Sequence, residues 1–455
     1  MGKDDTVCAL STPVGEGGIG VIRITGQDAY SILTTIFKPK TDKQTFESHR
    51  LYLGYIKSPA GGTIIDEVLA VYMKGPNTYT REDVAEIYSH GGYAAQKSIL
   101  ALMLNQGARL ADPGEFTKRA FLNGRIDLLQ AESVLDVIQS ETDAELRNAV
   151  EHLEGRLSSK IDSVRASIKE ALVEIEAMID FPEDDVEVNQ SAVLSGLDVA
   201  IQEIRTLTNS YYEGRAVKQG LEILIVGKPN VGKSSLLNAL LLKEKAIVTP
   251  IPGTTRDMIE DVIHIRDIKA RIVDTAGLRE SNDVIEREGV ERVKRKLPEA
   301  DLILWVLDGS DMYTREDEDI RAAVQDKPKV VVINKGDLPQ RLDRNRLASE
   351  SLRWTEISAL EQAGIEQLKD TIYNTVMGKS LKKNAILITN MRQRSSLERT
   401  AVSLERALAC MKDGEPLEFA AFELQASLST LGEITGETCP DEILQAIFDR
   451  FCIGK

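Results

Sequence analysis

Gly227–Ser234 read GKPNVGKS, after the apolar run LEILIV (Leu221–Val226) and before SLLNAL (Ser235–Leu240). An octet of the form G-x-x-x-x-G-K-[ST] between a strand pattern and a helical one predicts a phosphate-binding loop. Its glycines let backbone N–H groups wrap phosphates where a helix begins. Lys233 meets the charge of the β- and γ-phosphates, and Ser234 offers a hydroxyl to Mg²⁺. Asn230, Val231, Gly232 and Ser235 belong to the same nucleotide-contacting stretch. Outward from the octet, short apolar runs (ARIVDTAG, DLILWVLDG, KVVVINKGD, TEIS) alternate with helical patterns. That alternation predicts βαβ units and a parallel sheet wound on both faces.

Further segments follow in the order such a site requires. In DTAG (Asp274, Thr275, Ala276, Gly277) the acid is expected to hold a magnesium-bound water, and Gly277 leaves its N–H for the γ-phosphate. Asn334-Lys335-Gly336-Asp337 ends another apolar strand. A carboxylate there accepts from both N1–H and the exocyclic amine of guanine, a pair adenine does not offer. An unpaired buried acceptor costs ~1–3 kcal/mol, so Asp337 selects guanine. Ser358-Ala359, after the next strand, covers the O6 side. Val248–Asp257 reads VTPIPGTTRD, a turn-rich switch stretch in which Thr249, Pro250, Ile251, Pro252 and Gly253 precede Thr254 and Thr255, one of whose hydroxyls reaches the metal. Leu278 stands where related hydrolases carry a water-orienting Gln, so another group must position the attacking water. The sum predicts a GTP-hydrolysing enzyme, an acid-anhydride hydrolase.

The chain has 455 residues, which at roughly 150 per domain predicts about three domains. The first ~120 residues read as strands and turns with a few helices (VIRITG, LYLGYI, EVLAVYM, VAEIYSH), an α+β domain. From Leu128 the period turns helical. Val150, Leu153, Leu157, Ile161, Val164, Ile168, Leu172, Ile175 and Ile179 predict one long amphipathic helix up to Phe181-Pro182, and a second follows over Val193–Tyr211. Helical spacing returns from Ile386 to Phe451. The economical division is 1–120 α+β, 121–219 helical, 220–378 nucleotide domain and 379–455 helical, one discontinuous helical domain split by an insertion. The net charge of −16 argues against nucleic-acid binding through a broad basic face. The four cysteines (Cys8, Cys410, Cys439, Cys452) form no CxxC pair, which predicts reduced thiols. With no run approaching the ~20 apolar residues of a membrane span and no secretory pattern at the start, a cytoplasmic protein is expected.

GKPNVGKSSLLNAL, GTTRD, DTAGLRE, NKGD and the final FCIGK, with STPVGEGGIGVIRITG near the start and PGEFTKRAFLNGRIDLLQAE at 113–132, together resemble the MnmE (TrmE) family of tRNA-modification GTPases over all three domains. The resemblance implies a first domain that binds 5,10-methylene- or formyl-tetrahydrofolate and pairs two chains into a homodimer, a helical domain, and an inserted Ras-like G domain. It implies that K⁺ takes the place of an arginine finger, held by Asn230, Thr249, Ile251 and Thr254, that Ser234 and Thr255 ligate Mg²⁺, and that Glu286 orients the attacking water. For folate it points to Arg23, Glu82, Lys455 and Arg125, the last standing where relatives often have Lys. The partner it implies is the flavoprotein MnmG (GidA). The pair adds a carboxymethylaminomethyl-type group to the wobble uridine of certain tRNAs, with tRNA gripped mainly through the partner and no membrane involved.

Gly15-Glu-Gly-Gly-Ile-Gly20 matches G-x-G-x-x-G, but VIRIT after it is a strand pattern where a dinucleotide fingerprint needs a helix, so a glycine-rich turn is expected. Cys452 is followed by Ile, Gly and Lys, a poor prenylation signal, and is left with either a buried or a modification-chemistry role. The alternative function is a regulatory GTPase switch in ribosome assembly without base-modification chemistry. Such proteins need an RNA-binding appendage, and this sequence carries FCIGK instead.

Overall fold

The computed structural model describes residues 5–13, 15–41, 45–59, 61–180, 190–242, 262–273, 296–344, 347, 352–377 and 386–455. Val248–Asp257, Asp274–Gly277, Leu278 and Glu286 lie outside the described residues. The chain divides into two compact units, Met1–Gln139 with Val150–Ala200 and Arg399–Lys455, and Ser140–Ala149 with Ile201–Glu398.

The first unit opens with β1 (Val7–Leu10), β2 (Ile19–Thr25), α1 (Ala29–Ile36), β3 (Phe37–Pro39), β4 (Arg50–Lys57), β5 (Ile64–Met73), β6 (Val84–His90), α2 (Tyr93–Asn105) and β7 (Arg109–Leu110). The strands form one sheet in the order β3-β4-β5-β6-β2-β1-β7, antiparallel apart from the β1–β7 pair. Side chains alternate across it. Ile22, Ile24, Ile56, Val68 and Ile87 join Leu33 and Ile36 of α1 and Ile99 and Met103 of α2 in one core. On β4 and β5 the other face carries Leu51, Leu53 and Leu69, which are 55%, 47% and 41% exposed. Gly20 lies within β2, so the glycine-rich segment passes into a strand as read from its sequence.

Helices α3 (Glu115–Leu122), α4 (Leu128–Gln139), α5 (Asp143–Leu153), α6 (Arg156–Asp180) and α7 (Gln190–Asn209) come next. The single long helix expected through Leu153 and Leu157 is two. Gly155 adopts φ +83°, outside the helical region, and its N–H turns back to the carbonyl of His152 at 2.9 Å.

The second unit contains α8 (Tyr211–Gln219), β8 (Leu221–Val226), α9 (Lys233–Leu242), β9 (Val262–Ile265), β10 (Ile268–Val273), β11 (Leu302–Asp308), α10 (Arg315–Ala323), β12 (Lys329–Asn334), β13 (Trp354–Glu356) and α11 (Ile365–Val376). The sheet order is β13-β12-β11-β8-β10-β9. Five strands are parallel, but β9 runs antiparallel to β10, so the sheet is mixed rather than wholly parallel. The cause is local: Ile265 and Ile268 pair across a tight turn in which Arg266 takes φ 57°. Ala216 and Val217 of α8 are buried in the core of this unit, ahead of the domain start read at residue 220.

Then come α12 (Met391–Asp413), α13 (Leu417–Thr435) and α14 (Asp441–Phe448). Helical structure begins at Met391 and not at Ile386, because Ile388 N–H donates to Ser210 Oγ (3.0 Å) and the Asn390 side chain accepts from Arg392 N–H (2.9 Å) as a cap. In the first unit Leu128 and Ala131 of α4 share a cluster with Ile447, Phe448 and Phe451, and Arg165 of α6 pairs with Glu437 at 2.5 Å. Helices from both sides of the nucleotide-domain sequence therefore build one core, the discontinuous helical domain expected from the insertion pattern. Among the described residues no helix is long and apolar enough to cross a membrane.

Candidate functional site

The parallel strands β8, β12 and β13 all end at one edge, where loops of α/β sheets gather ligands. The octet leaves β8 at Val226 and enters α9 at Lys233. Asn334, at the end of β12 and 3% exposed, ties the loops together: its Nδ2 donates to Val231 O (2.9 Å), and its Oδ1 accepts from Ala359 N–H (3.0 Å). Asp337 Oδ1 accepts from Ser358 Oγ at 2.6 Å, which orients the carboxylate read as the guanine selector. Lys335, at φ 61°, donates to Asp308 Oδ2 (2.6 Å) and Gly336 N–H to Ile357 O (2.9 Å). Burial pushes the Asp308 carboxyl up, but Lys335 and Ser310 outweigh it and hold the acid below its usual range. The octet, the Asp337 carboxylate and the Ser358-Ala359 turn thus form one hydrogen-bonded frame.

Lys233 is turned inward, its Nζ donating to the carbonyls of Gly227 (2.9 Å) and Lys228 (2.7 Å). Burial lowers the ammonium below the ordinary lysine range, the condition of a cation that gains by meeting phosphate. Asn230 is exposed at φ 62°, an uncommon conformation of the kind that gathers at ligand loops. Ser234 is the second residue of α9. Of the remaining sequence-predicted residues, Val231 and Gly232 fall in the described loop and Ser235 is the third residue of α9. Thr249, Pro250, Ile251, Pro252, Gly253, Thr254, Thr255, Asp274, Thr275, Ala276, Gly277 and Glu286 lie outside the described residues.

A second candidate site lies in the first unit. Residues 452–454 dock against the first domain: Ile453 bridges Pro113, Ser11 Oγ donates to Gly454 O (3.1 Å), and Phe116 N–H donates to Lys455 O (3.2 Å). Gly454 adopts φ +96°, and a Cβ there would press into the carbonyl oxygen of Leu10. The docked tail brings Lys455 to a cavity of about 490 Å³ that Arg125 also lines, with Tyr79 and Gln130 and an apolar wall of Val134, Ile138 and Leu153. Arg125 lies over the Tyr79 ring at 4.7 Å from its centroid, and Arg23 approaches the same ring at 5.8 Å. Arg23 donates to Glu86 (2.7 Å) and does not line the cavity. Glu82 is likewise outside the lining, accepting from Thr25 Oγ1 (2.9 Å) and Arg119 (3.1 Å). Cys452 is exposed.

Tyr79 and Arg119 were missed in the sequence. The Tyr79 hydroxyl shares a 3.0 Å hydrogen bond with Thr117, and its ring meets two arginines. Arg119 joins Glu82 to Asp5 and to buried Glu115, which Arg109 also clamps at 2.7 Å. Burial pushes the Glu115 carboxyl up, but the two guanidinium groups overcome it and hold the acid below its ordinary value. The only signal was the i, i+4 spacing of Glu115 and Arg119.

A family model described as "MnmE helical domain" matches residues 128–452, and one described as "GTP-binding protein TrmE N-terminus" matches residues 6–125. The chain is 45% identical over 460 aligned residues to the tRNA modification GTPase MnmE of Geobacter sulfurreducens, covering 100% of both chains. It is 45% identical to the protein so named in Thermoanaerobacter pseudethanolicus, and 44% to that in Clostridioides difficile, covering 99% of both chains in each case. Among solved structures, the FeoB G-domain from Methanococcus jannaschii matches at 24% identity over 35% of this chain and 98% of that one, with a TM-score of 0.27.

Proposed function

The chain belongs to the MnmE family of tRNA modification GTPases, and on that premise we propose that it is a potassium-stimulated GTP hydrolase acting with the flavoprotein MnmG (GidA). Together they add a carboxymethylaminomethyl-type group to C5 of the wobble uridine of certain tRNAs, with 5,10-methylene- or formyl-tetrahydrofolate as the one-carbon donor. The observation that carries the GTPase reading is the Asn334 bridge, which joins Val231 of the phosphate loop to Ala359 beside the base-selecting Asp337. Lys233, poised by burial, meets phosphate charge, and Glu286 and Gly277 take the water-orienting and γ-phosphate roles.

Ser234 and Thr255 are the Mg²⁺ ligands of this reading, and Asn230, Thr249, Ile251 and Thr254 hold K⁺. The exposed amide of Asn230, at the lip of the phosphate loop, fits a donor to a weakly bound cation. A monovalent cation supplies there the positive charge that an arginine finger supplies in other GTPases. The cavity fits a reduced folate in kind: Arg125 and Lys455 suit carboxylates, while Tyr79 and the aliphatic wall suit flat rings. Arg23 acts on it from behind Tyr79, whereas Glu82 and its partner Arg119 both stand outside the cavity lining. The exposed leucines of β4 and β5 support a homodimer formed through the first domain. A net charge of −16 supports tRNA capture mainly through the partner.

The test is steady-state GTP hydrolysis in matched potassium and sodium chloride. Faster turnover in potassium, lost in Asn230→Ala with GTP affinity retained, is expected. Equal rates in the two salts would reject the cation role. Calorimetry with 5-formyl-tetrahydrofolate on the full chain tests the one-carbon site, and no binding heat would reject it.

A further inference from the structure

Lys228 occupies a position of G-x-x-x-x-G-K-[ST] that the pattern leaves open, yet its side chain is 10% exposed. Its Nζ stands 2.9 Å from Asp317 Oδ2 and 3.2 Å from Thr314 Oγ1, with the exposed Asp311 carboxylate at 3.8 Å. Asp317 is 2% exposed, and the same oxygen accepts from Thr314 N–H (2.8 Å) and Oγ1 (3.0 Å) in the capping box that starts α10. At its other end, the Lys228 carbonyl accepts from Lys233 Nζ at 2.7 Å, beside the Gly227 carbonyl at 2.9 Å. One residue is therefore fixed by its side chain to the cap of α10 and by its backbone to the phosphate-binding lysine.

Stability alone does not explain this pair. Taking two charges out of water costs about as much as their attraction returns, and apolar residues of similar volume commonly serve a fold equally well. A charged pair differs from an apolar one in being directional, and here the direction runs along the octet. We propose that Lys228 is a positioning residue for GTP hydrolysis: Asp317 holds it so that residues 227–230 present Lys233 and the positive-φ Asn230 in register with the phosphates. The start of α10 thereby acts on the phosphate loop from behind. This inference rests on the GTPase reading and adds residues to its site.

The test uses the full chain with Lys228→Met, Asp317→Leu, the double variant Lys228→Met/Asp317→Leu, and Asp317→Asn, which keeps the shape of the cap. Each is measured for melting temperature, for single-turnover hydrolysis at saturating GTP and for GTP affinity. The single apolar changes leave a buried charge unpaired and lower the melting temperature, whereas the double variant removes the unpaired charge and recovers that part of the loss, the capping hydrogen bonds of Thr314 staying lost. The double variant still hydrolyses about 10–100-fold more slowly, the scale of a misplaced reacting group, while GTP affinity moves by less than about threefold. Asp317→Asn, folded like the parent, shows the same split. A double variant, or Asp317→Asn, that is folded and as fast as the parent makes the pair purely structural and overturns the inference. If the unaltered chain does not hydrolyse GTP in the same assay, the GTPase reading and this inference fall together.

Discussion

Replacing Asn334 by Ala removes two hydrogen bonds whose partners are both in the interior. Val231 and Ala359 are 2% and 7% exposed, so the Val231 carbonyl and the Ala359 N–H are left without a partner and shielded from water. Each orphaned group costs about 1–3 kcal/mol, which sums to about 2–6 kcal/mol of lost stability in the second unit. At about 2–4 °C per kcal/mol for a unit of 150–250 residues, the melting temperature should fall by at least about 4 °C. The loss also separates the octet from the Ser358-Ala359 turn. If only about 1.4 kcal/mol of it appears in the nucleotide complex, release of a fluorescent GDP analogue accelerates about tenfold. Asn334→Asp keeps the shape but turns an oxygen toward the Val231 carbonyl, and should lose at least as much. Differential scanning fluorimetry and stopped-flow release read the two quantities. A melting temperature within about 1 °C of the parent together with unchanged release would refute the bridging role.

Asp337→Asn should weaken GTP by about 5–150-fold, from ~1–3 kcal/mol, and improve xanthosine triphosphate, whose exocyclic oxygen accepts from the new amide. An unchanged GTP titration removes Asp337 from the base pocket. Gly454→Ala sets a Cβ against Leu10 O at a φ of +96°, so the tail should lift and folate affinity fall about 5–150-fold, from ~1–3 kcal/mol of strain, with GTP hydrolysis intact. Calorimetry showing parental affinity contradicts this. The Glu115 carboxyl is held below its ordinary value of 4.5, so it binds protons more weakly folded than unfolded, and its stabilising contribution is complete above that value and lost as pH falls through the folded one. The melting-temperature advantage over Glu115→Gln should therefore be flat from about pH 7 to 5.5 and shrink below about 4.5, and an advantage that persists unchanged to about pH 3 would contradict the assignment.

The phosphate loop and the strands around it were legible because their signals are local: a fixed octet, apolar runs, and turn residues at their ends. Five of the six strands of the second sheet follow from that pattern, whereas β9, four residues long, pairs with β10 through a turn that carries no glycine. The helix boundary at Gly155 was concealed because the apolar period continues in phase through Leu153 and Leu157, and spacing alone does not report a left-handed residue between them. Asn334 was readable as part of a motif, but its two-sided bridge requires knowing that Val231 and Ala359 meet. Tyr79 sits in the turn-rich stretch before Glu82, where no period marks it. Lys228 was invisible for a different reason: a pattern that tolerates any residue at a position says nothing about what that residue touches.

The docking of residues 452–454 has a consequence for the order of events during synthesis. The Ser11–Gly454 hydrogen bond spans 443 positions of sequence, and translation at ~5–20 residues per second puts roughly 20–90 s between the emergence of its two ends. For that interval the first domain is on the ribosome's surface with the wall that Lys455 completes still missing. The inserted nucleotide domain needs nothing from the tail and can fold while the cavity waits. A nascent chain interrupted between those two ends would thus carry a nucleotide domain able to fold while the cavity still lacks Lys455.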